Sequence, residues 1–317
     1  MRIKHRQAFI IGIKSLSLSL AEIKFIKRFK PWGIILFSRN IKSFDQTLNL
    51  IKSIKKIFKD KNYPILIDQE GGKVDRLKNI LDSKIFSAYY FGEFYKKSRK
   101  QSIICYNNYI DQVSYLLTKL GITINTVPVL DLLRDKTSKV IGSRSFSKNI
   151  NIINLFGKKT IARFHRNKIA TVMKHIPGHG LGYKDSHFKL PVVKKSKKFL
   201  LNNDFKIFKN KKCLFAMTAH ILFKDFDSKF TVTHSEKLIN VIRSKIKFSD
   251  LIITDDISMK ALPYNLKINT QKAFTAGCDI VLHCNANLKE MKIVAMNSPK
   301  LNKFVINKTK KYYKLVS

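Results

Sequence analysis

Carboxylates are scarce in this chain: 21 acidic residues stand against 62 basic ones over 317 positions, a formal charge of +41. A charge of that size suggests nucleic acid or an anionic membrane surface as a partner. The lysines, however, run through the whole length, as in 52–61, 194–212 and 303–314, without one dominant tail, and Ile, Asn and Phe are abundant. That combination reads as drift toward A/T-rich codons, so no nucleic-acid partner is expected, although the field can still speed the arrival of an anionic substrate. Cysteine is sparse too. Cys105, Cys213, Cys278 and Cys284 make no C-x-x-C pair and no disulfide-framework spacing, which excludes a disulfide scaffold and suits a reducing cytosol. Long apolar runs are missing. The run 8–13 stops at Lys14, too short to span a bilayer, and no small-residue cleavage site follows. It reads as a strand of a cytoplasmic protein with no stable membrane insertion. No stretch rich in Pro, Gly or Ser divides the chain and no internal repeat shows, so a linker between domains is not expected.

What is present is alternation. At 44% hydrophobic the chain is a folding one, and short apolar runs alternate with longer helical patterns, the order of βα units around a parallel sheet. The strand candidates are 9–13, 33–37, 65–68, 122–129, 169–174, 214–218, 251–254 and 280–284. Helical spacing covers 44–59, two segments within 83–120, then 150–165, 197–208, 235–246, 270–276 and 288–296. The tail 301–317 reads as a last helix on the outside. Eight strands are what a closed barrel needs, and about 250 residues or more is an ordinary length for one. The expectation is an α/β fold, a single (β/α)8 TIM-type barrel domain over 1–317, monomeric.

Each polar constellation follows a strand candidate directly, where a barrel of this kind carries its working groups. The densest is Lys174-His175-Ile176-Pro177-Gly178-His179-Gly180, followed after four residues by Asp185-Ser186-His187. Zinc ligation by His175 and His179 would need a helix for that spacing, and Pro177-Gly178 stop a helix here. A glycine-rich turn with backbone-bonded histidines is the plain alternative. Acid/base chemistry is the third reading, because Asp185 lies close enough to His187 to orient its imidazole. A Schiff-base role for Lys174 has no further support. Earlier in the chain, Asp68-Gln69-Glu70-Gly71-Gly72 ends an apolar strand, and Arg76 lies within reach if the glycines turn the chain. Asn125 to Asp131 ends another strand, with Asp131 suited to holding the rim and Arg144 following. Finally Thr254-Asp255-Asp256 sets paired acids at a strand end, where successive side chains alternate faces. One should do chemistry and the other make structural hydrogen bonds, such as an N-cap by Asp256; the spacing does not choose between them.

These blocks, in this order from Gly33 to Asn285, resemble family 3 glycoside hydrolases of the bacterial β-N-acetylhexosaminidase branch, the cytoplasmic enzymes of cell-wall recycling. The resemblance implies that Asp68, Arg76, Arg144, Lys174 and His175 bind the sugar. It makes Asp255 the nucleophile and His187, assisted by Asp185, the acid/base, with His220 in a supporting place. Lys73 stands where that family usually has Arg, which changes hydrogen-bond geometry. The implied activity is retaining, exo-acting removal of terminal N-acetylglucosamine from muropeptide fragments of the 1,6-anhydro type, with no metal or other cofactor. Two alternatives remain: the same site acting on another β-glycoside or with phosphate as acceptor, and a non-catalytic basic protein that binds nucleic acid.

Overall fold

The computed structural model describes residues 2–183, 185, 186 and 189–317. Ten strands are β1 Gln7–Gly12, β2 Pro31–Leu36, β3 Ile65–Ile67, β4 Ile124–Asn125, β5 Ala170–Ile176, β6 Val192–Val193, β7 Phe215–Thr218, β8 Leu222–Phe223, β9 Leu251–Asp256 and β10 Ile280–His283. Eight of them close a barrel in the order β1-β10-β9-β7-β5-β4-β3-β2, and β6 and β8 form a separate pair. Every barrel pairing is parallel. Strands covered on both faces need no polar alternation, which is why β2 and β5 are buried at every position. The (β/α)8 expectation thus holds.

The helices are α1 Leu20–Phe29, α2 Phe44–Phe58, α3 Ala88–Lys97, α4 Arg99–Leu120, α5 Ile150–Arg166, α6 Lys197–Asn202, α7 Glu236–Ser244, α8 Leu266–Ala276, α9 Leu288–Met296 and α10 Lys303–Val316. In α2, Ser43 caps the first turn and Leu50, Ile51 and Ile54 face the barrel, the apolar stripe that its spacing predicts. Helix α1 is not among the expected helices. It is set by a capping box in which Ser19 and Glu22 each satisfy the other's backbone N–H, a start signal legible as Ser-x-x-Glu. Its stripe is thin, since Phe25 and Ile26 are the buried apolar residues. No helix of the described residues is long and apolar enough to cross a membrane.

Two packed layers result. One fills the space between strands and helices; the other fills the barrel, with Ile10, Ile35, Leu66, Val172, Met217 and Leu282 among its members. The tail helix α10 lies beneath the barrel, a different place from the outer position expected of 301–317. Trp32 Nε1 donates to Thr309 Oγ1 at 3.0 Å, and the Tyr312 hydroxyl meets Thr123 Oγ1 at 2.7 Å. The Trp32 and Phe215 rings pack edge to face, and both lie against Tyr312. Arg6 completes the closure by donating to Asp60 at 2.6 Å and to the Tyr313 hydroxyl at 2.9 Å. The N-terminal mouth is therefore stoppered, and the other mouth is left for function.

Strand β4 is shorter than the expected 122–129. Pro128 has no N–H to donate, and beyond Ile124–Asn125 the Asn125 side chain takes over the pairing. Its Oδ1 accepts from Gln69 N at 3.0 Å and its Nδ2 donates to Gln69 O at 2.9 Å. Pairing with β5 resumes through the Lys174 N–H to Pro128 O, 3.0 Å, and the Leu130 N–H to Lys174 O, 2.7 Å.

Candidate active site

At the C-terminal mouth the strand ends surround a hollow of about 340 Å³ whose floor is the barrel layer of Ile35, Met217 and Leu282. Its wall brings together Asp68, Arg76, Arg144, Lys174, His175 and Asp255. All six are positions singled out in the sequence. They come from β3, β4's following loop, β5 and β9, so only barrel closure assembles them.

Asp68 lies at the centre of a charged cluster. Its Oδ2 accepts from Arg76 at 3.0 Å, and its Oδ1 accepts from Lys174 Nζ and, at 2.6 Å, from the Thr126 hydroxyl. Burial alone pushes this carboxyl up, but Lys174, Arg76 and Arg144 outweigh it and hold Asp68 well below the ordinary range. Lys174 Nζ also meets Glu70 Oε1 at 2.6 Å and Thr126 Oγ1 at 3.1 Å. An amine shared by two carboxylates is a charged anchor, not the free nucleophile a Schiff base needs. Glu70 in turn holds Arg144 by a two-pronged contact, 2.8 Å at each prong, the geometry that fixes a guanidinium most firmly. Sequence reasoning quoted Glu70 without giving it work. Its partner lies 74 residues away, so no local pattern could have shown it.

The second cluster surrounds His175. Asp131, fully buried, accepts from His175 Nδ1 at 2.7 Å and from the His179 N–H at 2.6 Å. The rim-holding role expected of Asp131 is met in this form. Burial pushes its carboxyl up, while His175 and His179 bring it below its ordinary value. His175 Nε2 then faces Asp255 Oδ2 at 4.0 Å. With Nδ1 occupied by Asp131, the imidazole is oriented toward the hollow.

Both acids touch the hollow, so the alternation of faces does not part them; they differ in what they accept. Asp256 Oδ1 accepts from the Ser258 N–H at 3.1 Å, the Ser258 hydroxyl at 2.8 Å and the Cys284 N–H at 3.3 Å. This is a turn and not a helix N-cap, because the next helix, α8, begins ten positions on. Among the described residues Asp255 accepts only the Asp256 N–H, at 2.8 Å, in addition to its ion contact with His175. Burial raises its carboxyl; His175, His220, the Asp256 N–H and Lys174 more than offset this, so it lies below the usual carboxylate value. An oxygen that stays charged and faces an open hollow can attack an electrophilic carbon. His220 supports the same wall, with Nδ1 on Thr233 Oγ1 at 2.7 Å and Nε2 on Asp256 O at 3.0 Å.

Asp185 is half-buried and does not belong to the described lining of the hollow. His187 lies outside the described residues. Between them Ser186 is buried, and its carbonyl accepts the Ala261 N–H at 3.2 Å.

A parallel barrel whose open mouth carries a charged carboxylate, held among the described residues by the Asp256 N–H and His175 and beside a ring of polar groups, belongs to the class of barrel enzymes that take a small polar substrate at the C-terminal strand ends. Comparison with known proteins narrows this. Residues 13–309 match the glycosyl hydrolase family 3 N terminal domain. The chain is 32% identical over 286 residues to the beta-hexosaminidase of Actinobacillus pleuropneumoniae serotype 3, covering 87% of this chain and 80% of that one. It is 29% identical over 284 residues to the beta-hexosaminidase of Haemophilus influenzae Rd, covering 88% and 79%. Among solved structures, NagZ from Neisseria gonorrhoeae in complex with N-trifluoroacetyl-D-glucosamine superposes with a TM-score of 0.85 at 25% identity, over 97% of this chain and 90% of that one. A family 3 β-N-acetylglucosaminidase from a Paenibacillus species shares the fold, with a TM-score of 0.86 at 24% identity over 99% of this chain and 62% of its own. The chain belongs to glycoside hydrolase family 3, and it is a glycoside hydrolase.

Proposed function

We propose that this enzyme is a retaining exo-β-N-acetylglucosaminidase that removes terminal N-acetylglucosamine from muropeptide fragments of the 1,6-anhydro type. One observation carries the reading: Asp255 opens, charged and without a salt-bridging Arg or Lys among the described residues, onto a hollow walled by Asp68, Arg76, Arg144, Lys174 and His175. At about 340 Å³ the hollow lies at the small end of ligand pockets, roughly 300–1,000 Å³, which suits one sugar ring held at a chain end. Names of the relatives point to the same sugar.

In this reading Asp255 attacks the anomeric carbon, the aglycone oxygen leaves with a proton, and a covalent glycosyl-Asp255 forms; water then releases the sugar with its configuration retained. The leaving oxygen needs an acid. Among the described residues lining the hollow, the other carboxylates are engaged, Asp68 by Arg76 and Lys174 and Asp256 by Ser258 and the Cys284 N–H. This supports the loop pair, with His187 protonating the leaving oxygen and then deprotonating water while Asp185 sets its basicity. A neutral imidazole repels phosphate less than a carboxylate would, so phosphorolysis is a second reading favoured by the same engagement of carboxylates. The enzyme is taken to act in the cytoplasm as a monomer, on saccharide and not on nucleic acid.

A chromogenic N-acetylglucosamine β-glycoside, set against the matching glucoside, tests the sugar. Cleavage of the first alone, a β-configured first product, and loss of turnover in Asp255→Ala with an unchanged melting curve are expected. An α-configured first product would end the retaining account. Repeating the assay with and without phosphate separates glycosyl phosphate from free sugar.

A further inference from the structure

The loop's second histidine, His179, has no part in the chemistry above, yet it is buried. Its backbone N–H is spent on Asp131 at 2.6 Å, and its ring Nε2 lies 3.2 Å from Ser186 Oγ. Its Nδ1 has no hydrogen-bond partner among the described residues. The place is built for this ring: a Cβ on Gly182 would lie 2.9 Å from both its Cε1 and its Nδ1, closer than packed atoms come. An apolar side chain could fill the same space without leaving a nitrogen unpartnered. What the imidazole adds is the contact with Ser186.

Ser186 is itself held from a second side. Its carbonyl accepts the N–H of Ala261 at 3.2 Å, in the turn that follows β9, whose last two residues are Asp255 and Asp256. Asp131 links the remaining pieces, since it bonds both the His179 backbone and the His175 ring. We propose that His179 is a positioning residue that fixes Ser186, and with it the adjoining Asp185, relative to the strand end bearing Asp255. The inference rests on the reading of Asp185 and His187 as the acid/base pair. Burial pushes His179 down to about 4, so its ring stays neutral through the working range and the tie does not loosen with pH.

Such a residue acts only where the acid is needed. Displacing a catalytic group by about 1 Å can cost a hundredfold, and the loss falls on substrates whose leaving group must be protonated. The experiment uses the full chain and two aryl β-N-acetylglucosaminides, phenyl with a poor leaving group and 2,4-dinitrophenyl with a good one. Ser186→Ala and His179→Phe should each lose roughly tenfold or more in kcat/KM, which reports the leaving-group step, on the phenyl substrate and less than about twofold in kcat/KM on the dinitrophenyl one. His179→Gln keeps an N–H donor near the Nε2 position and should retain most of the activity. The double variant should lose no more than the worse single one, because both changes break one contact. His187→Ala is run alongside. If it shows the leaving-group bias while Ser186→Ala matches wild type, or if Ser186→Ala loses equally on both substrates, the positioning role is overturned and the acid/base reading stands. Equal losses in His187→Ala would overturn the acid/base reading and this inference with it.

Discussion

Asp131→Asn changes one atom of a buried residue and should be felt in two ways. The carboxylate accepts three N–H groups: the His175 ring at 2.7 Å, the His179 backbone at 2.6 Å and the His175 backbone at 3.3 Å. Hydrogen bonds to a charged acceptor contribute roughly 1.5–3 kcal/mol each and neutral ones about 1. The amide keeps an oxygen for the two backbone donors but sets an NH₂ against the ring, so the expected cost at pH 7 is roughly 2–4 kcal/mol. The sign of the pH dependence follows from the native carboxyl lying below its ordinary value. Its stabilisation is complete above the unfolded value of about 3.9 and fades as pH falls through the lower native one. Urea unfolding should therefore show a gap between variant and wild type at pH 7 that narrows below about pH 4. The second effect is on the ring. Asp131 accepts from Nδ1 and so fixes a ring proton there; the amide donates to Nδ1 and places the proton on Nε2 instead, the inversion known to disable histidines held by aspartate. We expect kcat/KM on an aryl N-acetylglucosaminide to fall at least about tenfold. A variant as stable as wild type with kcat/KM within twofold of it would refute the reasoning.

Glu70→Gln should release Arg144 and Lys174 together and raise KM by about tenfold or more, the loss of roughly 1.4 kcal/mol or more of sugar binding, while kcat changes less; an unchanged KM by steady-state kinetics would show that neither cation depends on Glu70. Asp185→Asn should shift the basic limb of the kcat/KM profile if it tunes His187, and an unshifted limb in a pH–rate series would leave the pair without support. The low-pH limb reports the nucleophile: since Asp255 is held below its ordinary value, activity should persist in acid down to below about pH 4, and a limb well above pH 5 would contradict the depressed carboxyl.

The barrel was legible because its strands are buried on both faces and so read as short apolar runs, as in Pro31–Leu36. Helix α1 escaped that reading because Phe25 and Ile26 give it too narrow a stripe, and its capping box was the stronger signal. Strand β4 came out shorter because a side-chain amide, Asn125, continues the pairing where Pro128 cannot. The tail's helical spacing was visible, but its seat was not: Thr309 and Tyr312 find Trp32 and Thr123 only after the barrel exists. The same holds at the mouth. Asp68, Lys174 and Asp255 announce themselves as polar residues at strand ends, whereas the work of Glu70 and Asp131 is defined by partners 74 and 44 positions away.

The stopper formed by α10 governs traffic. With Trp32, Tyr312 and Arg6 sealing one end and the packed layer of Ile35, Met217 and Leu282 under the hollow, the described residues open it at the C-terminal mouth, and whatever enters there must back out the way it came. No strand of sugar can be threaded through and clipped in passing. In the exo-acting reading proposed above, each turnover starts with an empty chamber and a longer glycan would be shortened from its tip, one release at a time.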